Sequence, residues 1–192
     1  MRELLDEKNF DEISVTEIAA RANSSVGAFY ARFEDKDGLL DYLGELFSED
    51  MVSEIRRCES ESGCQDLPLE QTVRQTIRIL VETHRRHRGA LRALVIRSLS
   101  TGASRPIQRA RELAKPVPTL VEQIERRRAE INHPTPEIAV RLGLEMVAST
   151  VRDRILFPGL SVTASSSVPI TDAVLAEELA RAFLGFLGTD TD

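Results

Sequence analysis

The sequence predicts an all-α protein, with a small N-terminal helix-turn-helix head joined to a larger helical body. Three observations carry that prediction. Nearly every apolar segment repeats at the three- and four-residue spacing of an amphipathic helix, and no β-branched alternating run stands out. The composition agrees: 42% of residues are hydrophobic, only 5% are aromatic, and tryptophan is absent. Serine, threonine and proline stand where helices would begin, with asparagine or Pro-Gly where they would end. At 192 residues the chain can form one ordinary domain, or a small one beside a larger one, with a proper core.

Met1 to Lys8 reads as the tail of a helix, with Leu4 and Leu5 apolar. Ser14-Val-Thr-Glu17 is a capping box: the serine oxygen accepts the backbone N–H three residues on, and Glu17 reaches back. The helix it opens carries Val15, Ile18, Ala19 and Ala22 on one side. Asn23 suits the left-handed residue of a tight turn. Ser24 or Ser25 then caps a second short helix running to about Arg32. Helix, tight turn and helix within about 20 residues make the helix-turn-helix unit.

A long helix is expected from Lys36 to Glu59, its buried stripe marked by Leu39, Leu40, Leu43, Phe47, Met51 and Ile55. Asp35 and Asp37 favour its positive N-terminal end. Residues 60–64 read as a loop. Pro68 starts a helix with Leu69, Val73, Ile77, Leu80, Val81 and His84 on one face, ending in the basic run His84 to Gly89. Ala90 to Leu99 is the next helix, and Ser100 to Pro106 a loop. Ile107 to Ala129 would be one helix but for Pro116 and Pro118, which predict a break at Ala114–Lys115. We expect that break to form a hinge or to open a pocket entrance.

Thr135 reads as a cap with Pro136 at the first helical position. That helix runs to Phe157 and stops at Pro158-Gly159, with residues 138, 142, 146, 147, 151 and 155 expected on one apolar face. Residues 160–169 are a loop long enough to be functional. Thr171 caps the last helix, whose stripe is Leu175, Leu179, Ala182, Phe183, Phe186 and Leu187.

Charge is unevenly placed. The chain carries a net −6, and residues 1–47 alone hold five Lys/Arg against eleven Asp/Glu. The remainder is balanced, so all the excess acid falls in the helix-turn-helix segment. That argues against binding nucleic acid through the whole surface. Only Cys58 and Cys64 are present, and neither a signal peptide nor an apolar run of membrane-spanning length occurs. A cytoplasmic protein is expected.

The head resembles the tetracycline-repressor (TetR) family of bacterial transcription regulators. The matching residues are "ISVTEIAARA" and "SSVGAFYARFEDKDGLL", in which Gly27, Tyr30, Phe33, Lys36, Leu39 and Leu40 fit the family pattern. Residues 133–157 look like the penultimate helix of its ligand-binding body. The resemblance implies a helix-turn-helix DNA-binding domain over 1–47, a helical ligand-binding and dimerisation domain over 48–188, and a tail at 189–192. It implies a homodimer on double-stranded operator DNA, released by an unidentified small-molecule ligand, with no cofactor, metal or membrane.

By matching positions, Val26, Gly27, Ala28, Ala31 and Arg32 would face the DNA, with Val26 and Ala28 against thymine methyls. Ser14, Thr16, Ser25, Tyr30 and Lys36 would grip phosphates. Phe29 and Phe33 read as core that fixes the second helix. The expected pocket lining is Ile77, Val81, Leu94, Ser98, Leu120, Ile124, Met146 and Thr150. The expected dimer interface is Val147, Val151, Ile155, Leu175, Leu179, Phe183 and Phe186.

The chain departs from the family pattern in three places. The first helix retains only its last two turns and lacks the family's basic arm, so either the start is truncated or the native start is expected upstream. Asn23-Ser24 replaces the usual Gly-Val of the turn, and Val26 and Ala28 stand where polar residues are common. With few cations near the reading helix, weak and salt-sensitive DNA binding is expected.

Other readings are weaker. The basic runs at 84–88 and 126–128 are expected to be solvated helix faces. His84, His87, His133, Cys58 and Cys64 lack regular metal-ligand spacing, and a Cys58–Cys64 redox switch has no visible activation of either thiol. The competing function is a helical sensor or interaction protein of the same fold with weak or lost DNA binding. An enzyme ranks last, because no nucleophile elbow, phosphate loop or metal motif is present.

Overall fold

The computed structural model describes residues 1–61, 67–100, 113–159 and 170–189. Nine α-helices and two 3-10 turns, without strands, make up these residues. They are α1 (Arg2–Glu7), α2 (Val15–Arg21), α3 (Val26–Tyr30), α4 (Lys36–Glu61), α5 (Leu69–Arg86), α6 (Arg88–Ser100), α7 (Val117–Glu125), α8 (Pro136–Leu156) and α9 (Asp172–Leu187). The 3-10 turns are Phe10–Glu12 and Arg128–Glu130.

The chain forms two compact units, one of Met1–Ser48 with His87–Ala114, the other of Glu49–Arg86 with Lys115–Asp192. The first joins the head to a segment that sequence order alone assigns to the body. The reason is core supply. Leu4, Leu5, Phe10, Ile13, Ile18, Phe29, Leu39, Leu40 and Leu43 cluster with Ala90, Ala93 and Leu94 of α6. A segment of about 50 residues buries too little apolar surface to be more than marginally stable alone. Helix α6 completes it, and it comes close: a Cβ placed on Gly89 would lie 2.9 Å from the Leu5 backbone.

In the second unit, α5, α8 and α9 pack against one another and α7 packs on α5 and α8. Helices α8 and α9 cross at Gly143, where an added Cβ would stand 2.1 Å from the Phe183 ring. Helix α9 ends on Gly188 in the left-handed region, φ 76°. Its N–H reaches the Gly185 carbonyl, and that of Thr189 reaches Leu184, satisfying carbonyls a helix end leaves free.

Several local expectations need correction. The long helix continues through Glu61, so Ser60 and Glu61 are helical, and residues 62–64 lie outside the described residues. Helix α6 starts at Arg88, two residues before Ala90. Of the segment 107–129, residues 107–112 lie outside the described residues. A turn at 114–116 separates Leu113 from α7, as the proline pair requires, and α7 stops at Glu125. Thr135 makes no side-chain cap; its own N–H donates to His133 Nδ1 at 3.1 Å. The loops read at 101–106 and 160–169 lie outside the described residues.

The single apolar face read on α8 splits in two. Val140, Leu144, Val147, Val151 and Ile155 are buried, whereas Ile138, Leu142 and Met146 are exposed. The buried residues follow the mixed three- and four-residue spacing of one helix face. A strict four-residue step drifts about 40° per step away from it.

Candidate nucleic-acid interface

The helix-turn-helix forms from local signals. Ser14 Oγ accepts the Glu17 N–H at 3.1 Å and opens α2. Glu17 does not reach back to close the box; its carboxylate takes Lys8 Nζ at 2.6 Å. The reciprocal pair sits one element earlier, where Glu12 accepts from the Asn9 backbone N–H at 3.2 Å and from its amide at 3.3 Å. Asn23 is the turn residue, with φ 48°, the sole non-glycine in the left-handed region among the described residues. Ser25 then caps α3, accepting the Ala28 N–H at 3.1 Å. Helix α3 ends at Tyr30, and Ala31 and Arg32 continue as a hydrogen-bonded turn rather than helix.

Phe29 anchors the reading helix. It is buried, with the Tyr30 ring edge-on at 5.2 Å and the Phe33 ring at 5.6 Å. Tyr30 itself points outward and is 56% exposed. Val26, Gly27, Ala28, Ala31 and Arg32 are exposed as well, as are Ser14, Thr16 and Ser25. Nine of the ten residues expected to meet DNA therefore lie at the surface.

Lys36 is the exception. Its ammonium donates to the Phe10 carbonyl at 3.0 Å and the Ile13 carbonyl at 2.6 Å, and sits 4.7 Å from the Phe10 ring centre. It ties the first 3-10 turn to α4 instead of standing free. The motif match placed a cation here; nothing local signals that backbone carbonyls would take it.

The head's acid is largely paired. Arg21 bridges Glu3 and Glu7 at 3.1 and 3.2 Å, Lys8 holds Glu17, and Arg88 holds Asp6 at 3.0 Å. Arg97 takes both oxygens of Asp37 and lies 3.5 Å from Asp11. Hydrogen bonding to Glu7 and Glu3 holds the Arg21 guanidinium above its ordinary pKa, and Lys8 raises its own by bonding Glu17. Arg88, Arg92 and Arg97 come from α6, which has no acidic residue. The excess acid of residues 1–47 is thus partly met from outside that segment. Arg32 has no ion-pair partner among the described residues, so it remains available to an anion.

The other expected sites divide. Ile77, Val81, Leu120 and Ile124 are buried core of the second unit, while Met146 and Thr150 are exposed on α8. Leu94 and Ser98 belong to the first unit, Leu94 as core. Of the residues expected at a dimer interface, Val147, Val151, Ile155, Leu175 and Phe183 are buried by the chain itself, and Leu179 and Phe186 are half-buried. The large apolar side chains of α8 and α9 that remain exposed are Ile138, Leu142, Met146 and Val174. Among the described residues no group of three or more His, Cys, Asp or Glu gathers as for a metal, and no helix is long and apolar enough to cross a membrane. Cys58 is half-buried beside the Gln75 amide; Cys64 lies outside the described residues.

A capped helix-turn-helix is a unit that DNA-binding transcriptional regulators use to enter the major groove. Residues 2–43 match the family of bacterial regulatory proteins called the tetR family. The fold agrees over the whole length. PfmR, a TetR family transcriptional regulator from Thermus thermophilus, is 13% identical with a TM-score of 0.65, over 100% of this chain and 96% of that one. The fatty acid degradation regulator FadR from Bacillus halodurans is 14% identical with a TM-score of 0.69, over 95% and 93%. The superantigen PfiT is 17% identical with a TM-score of 0.60, over 94% and 90%. No curated protein sequence matches the chain.

Proposed function

We propose that this regulator is a cytoplasmic homodimer that represses transcription from an operator and is released by a small-molecule inducer bound in its helical body. The observation that carries the DNA-facing part is the presentation of α3. Phe29 is buried beneath it, and Val26, Gly27, Ala28, Tyr30 and Arg32 stand exposed above. A helix so presented fits the major groove. Ser14, Thr16, Ser25 and Tyr30 lie where they can hold phosphates, and Arg32 supplies a cation without an ion-pair partner among the described residues. Lys36 ties the Phe10–Glu12 turn to α4 through the Phe10 and Ile13 carbonyls.

Self-association uses exposed apolar side chains of the last two helices. Because the chain's own core takes Val147, Val151 and Ile155, we assign the face to Ile138, Leu142 and Met146 of α8 with Val174 of α9. Exposed apolar rows of this kind mark association surfaces.

The competing reading, a helical sensor that has lost DNA binding, draws on the acid of residues 1–47 and on a superantigen having the same fold. The ion pairs from α6 weaken its first support. Duplexes enriched from a random pool, measured by fluorescence anisotropy at two salt concentrations, separate the two. An operator-binding regulator enriches a sequence and loses affinity as salt rises. A sensor enriches none at either salt concentration.

A further inference from the structure

The surface that α3 offers has an unusual chemistry for reading sequence. The side chains of Val26, Gly27 and Ala28 hold no hydrogen-bonding atom, and Val26 is 39% exposed. Ser25, just before them, is engaged as the cap of the helix. Arg21, the cation nearest on α2, is held by Glu3 and Glu7. A Cβ added at Gly27 would meet only Ser25 Oγ, at 3.8 Å, so the space above it is open to an approaching base edge.

Bidentate reading of guanine or adenine needs Arg, Lys, Asn or Gln at the base edge. On this helix and the turn after it, only Arg32 qualifies, and it lies beyond the helical residues. What Val26 and Ala28 can distinguish is an apolar group, and the apolar group in the major groove is the C5-methyl of thymine.

We propose that this regulator selects its operator chiefly through thymine C5-methyl groups, contacted by Val26 and Ala28 over the open backbone at Gly27. This rests on the DNA-binding reading above and specifies its ligand: duplex DNA with thymine under the first turn of α3. Arg32 adds one polar contact at the edge of that patch.

The test removes the methyl and leaves base pairing unchanged. Full-length protein selects duplexes from a random pool, and the enriched duplexes are resynthesised with deoxyuridine for thymidine, one position at a time. At the contacted positions affinity falls roughly fourfold for each methyl lost. Val26→Gly with Ala28→Gly lowers affinity for the thymidine duplex and removes the difference between the two duplexes. Circular dichroism checks that the variant remains helical. If deoxyuridine duplexes bind as tightly as thymidine duplexes at every position, the proposal is overturned while DNA binding stands. If the variant still discriminates thymidine from deoxyuridine, the assignment to Val26 and Ala28 is overturned. If the pool yields no enriched sequence, DNA reading itself fails and this inference fails with it.

Discussion

The guanidinium of Arg97 forks onto the carboxylate of Asp37, Nε to Oδ1 at 3.0 Å and Nη2 to Oδ2 at 2.9 Å. The two residues are 60 apart in sequence, and the contact ties α6 to the first turn of α4. Arg97 also lies 5.7 Å from the centre of the Phe10 ring, on which Lys36 sits as well. Paired, planar charge-assisted bonds of this kind fix geometry as well as adding energy. Arg97→Gln should destabilise the first unit by about 1 kcal/mol. It should also weaken operator binding, because Asp37 lies in the first turn of the helix that follows the reading unit. Chemical denaturation and anisotropy measure the two effects separately.

Asn23 holds φ 48° between the two helices of the head. Asn23→Ala forces a Cβ-bearing residue without a compensating side-chain amide into the left-handed region, at a cost of about 1 kcal/mol. Asn23→Gly should be neutral within about 0.5 kcal/mol. Urea unfolding of the three proteins checks the order.

Arg32 should act on affinity through charge. Arg32→Ala should reduce operator affinity about tenfold at low salt and flatten the salt dependence by close to one released counterion per subunit. Equal affinity and an unchanged slope would place Arg32 away from the phosphates.

Asp172 opens α9 and receives two hydrogen bonds from Arg85, at 2.8 and 2.6 Å. Those bonds, more than the simple attraction, hold its carboxyl below the usual aspartate pKa, against the opposing effect of burial. Its folded pKa is therefore lower than its unfolded one. The stabilisation is complete at neutral pH and is lost as pH falls below the ordinary aspartate range through the folded value. Both side chains are about 40% exposed, so the contribution should not exceed about 1 kcal/mol. Asp172→Asn should cost that amount at pH 7 and much less at pH 3, in denaturation curves at both values.

Leu142 and Met146 stand on the exposed side of α8. Leu142→Glu with Met146→Glu should leave helicity intact and shift sedimentation from dimer to monomer, since charge buried in an apolar interface is disfavoured. Val147→Ala serves as contrast. That residue is internal to the chain, so its loss should lower stability by about 1 kcal/mol or more without changing oligomeric state.

The sequence by itself determined the all-helical class, the helix-turn-helix and most helix boundaries. These are local matters. A serine three residues before a bonded N–H, an asparagine at a tight turn and a proline pair within a helical stretch act on their immediate neighbours, so Ser14, Ser25, Asn23 and Pro116 could be read directly. Tertiary structure alone decided the electrostatics and the faces. Lys36 looked like a phosphate ligand and binds two backbone carbonyls; Arg21 holds Glu3 and Glu7, which the sequence places 18 and 14 residues away. Val147, Val151 and Ile155 shared an apolar pattern with Ile138, Leu142 and Met146 on α8, yet only the second row is exposed. Hydrophobic periodicity says that a face is apolar, not what covers it. The acidity of the head is the clearest case. Residues 1–47 sum to −6, but α6, far along the chain, brings Arg88 and Arg97 onto Asp6, Asp37 and Asp11. Charge pairs form between whichever side chains the packing brings together, and a core too small to stand alone drew α6 into the head.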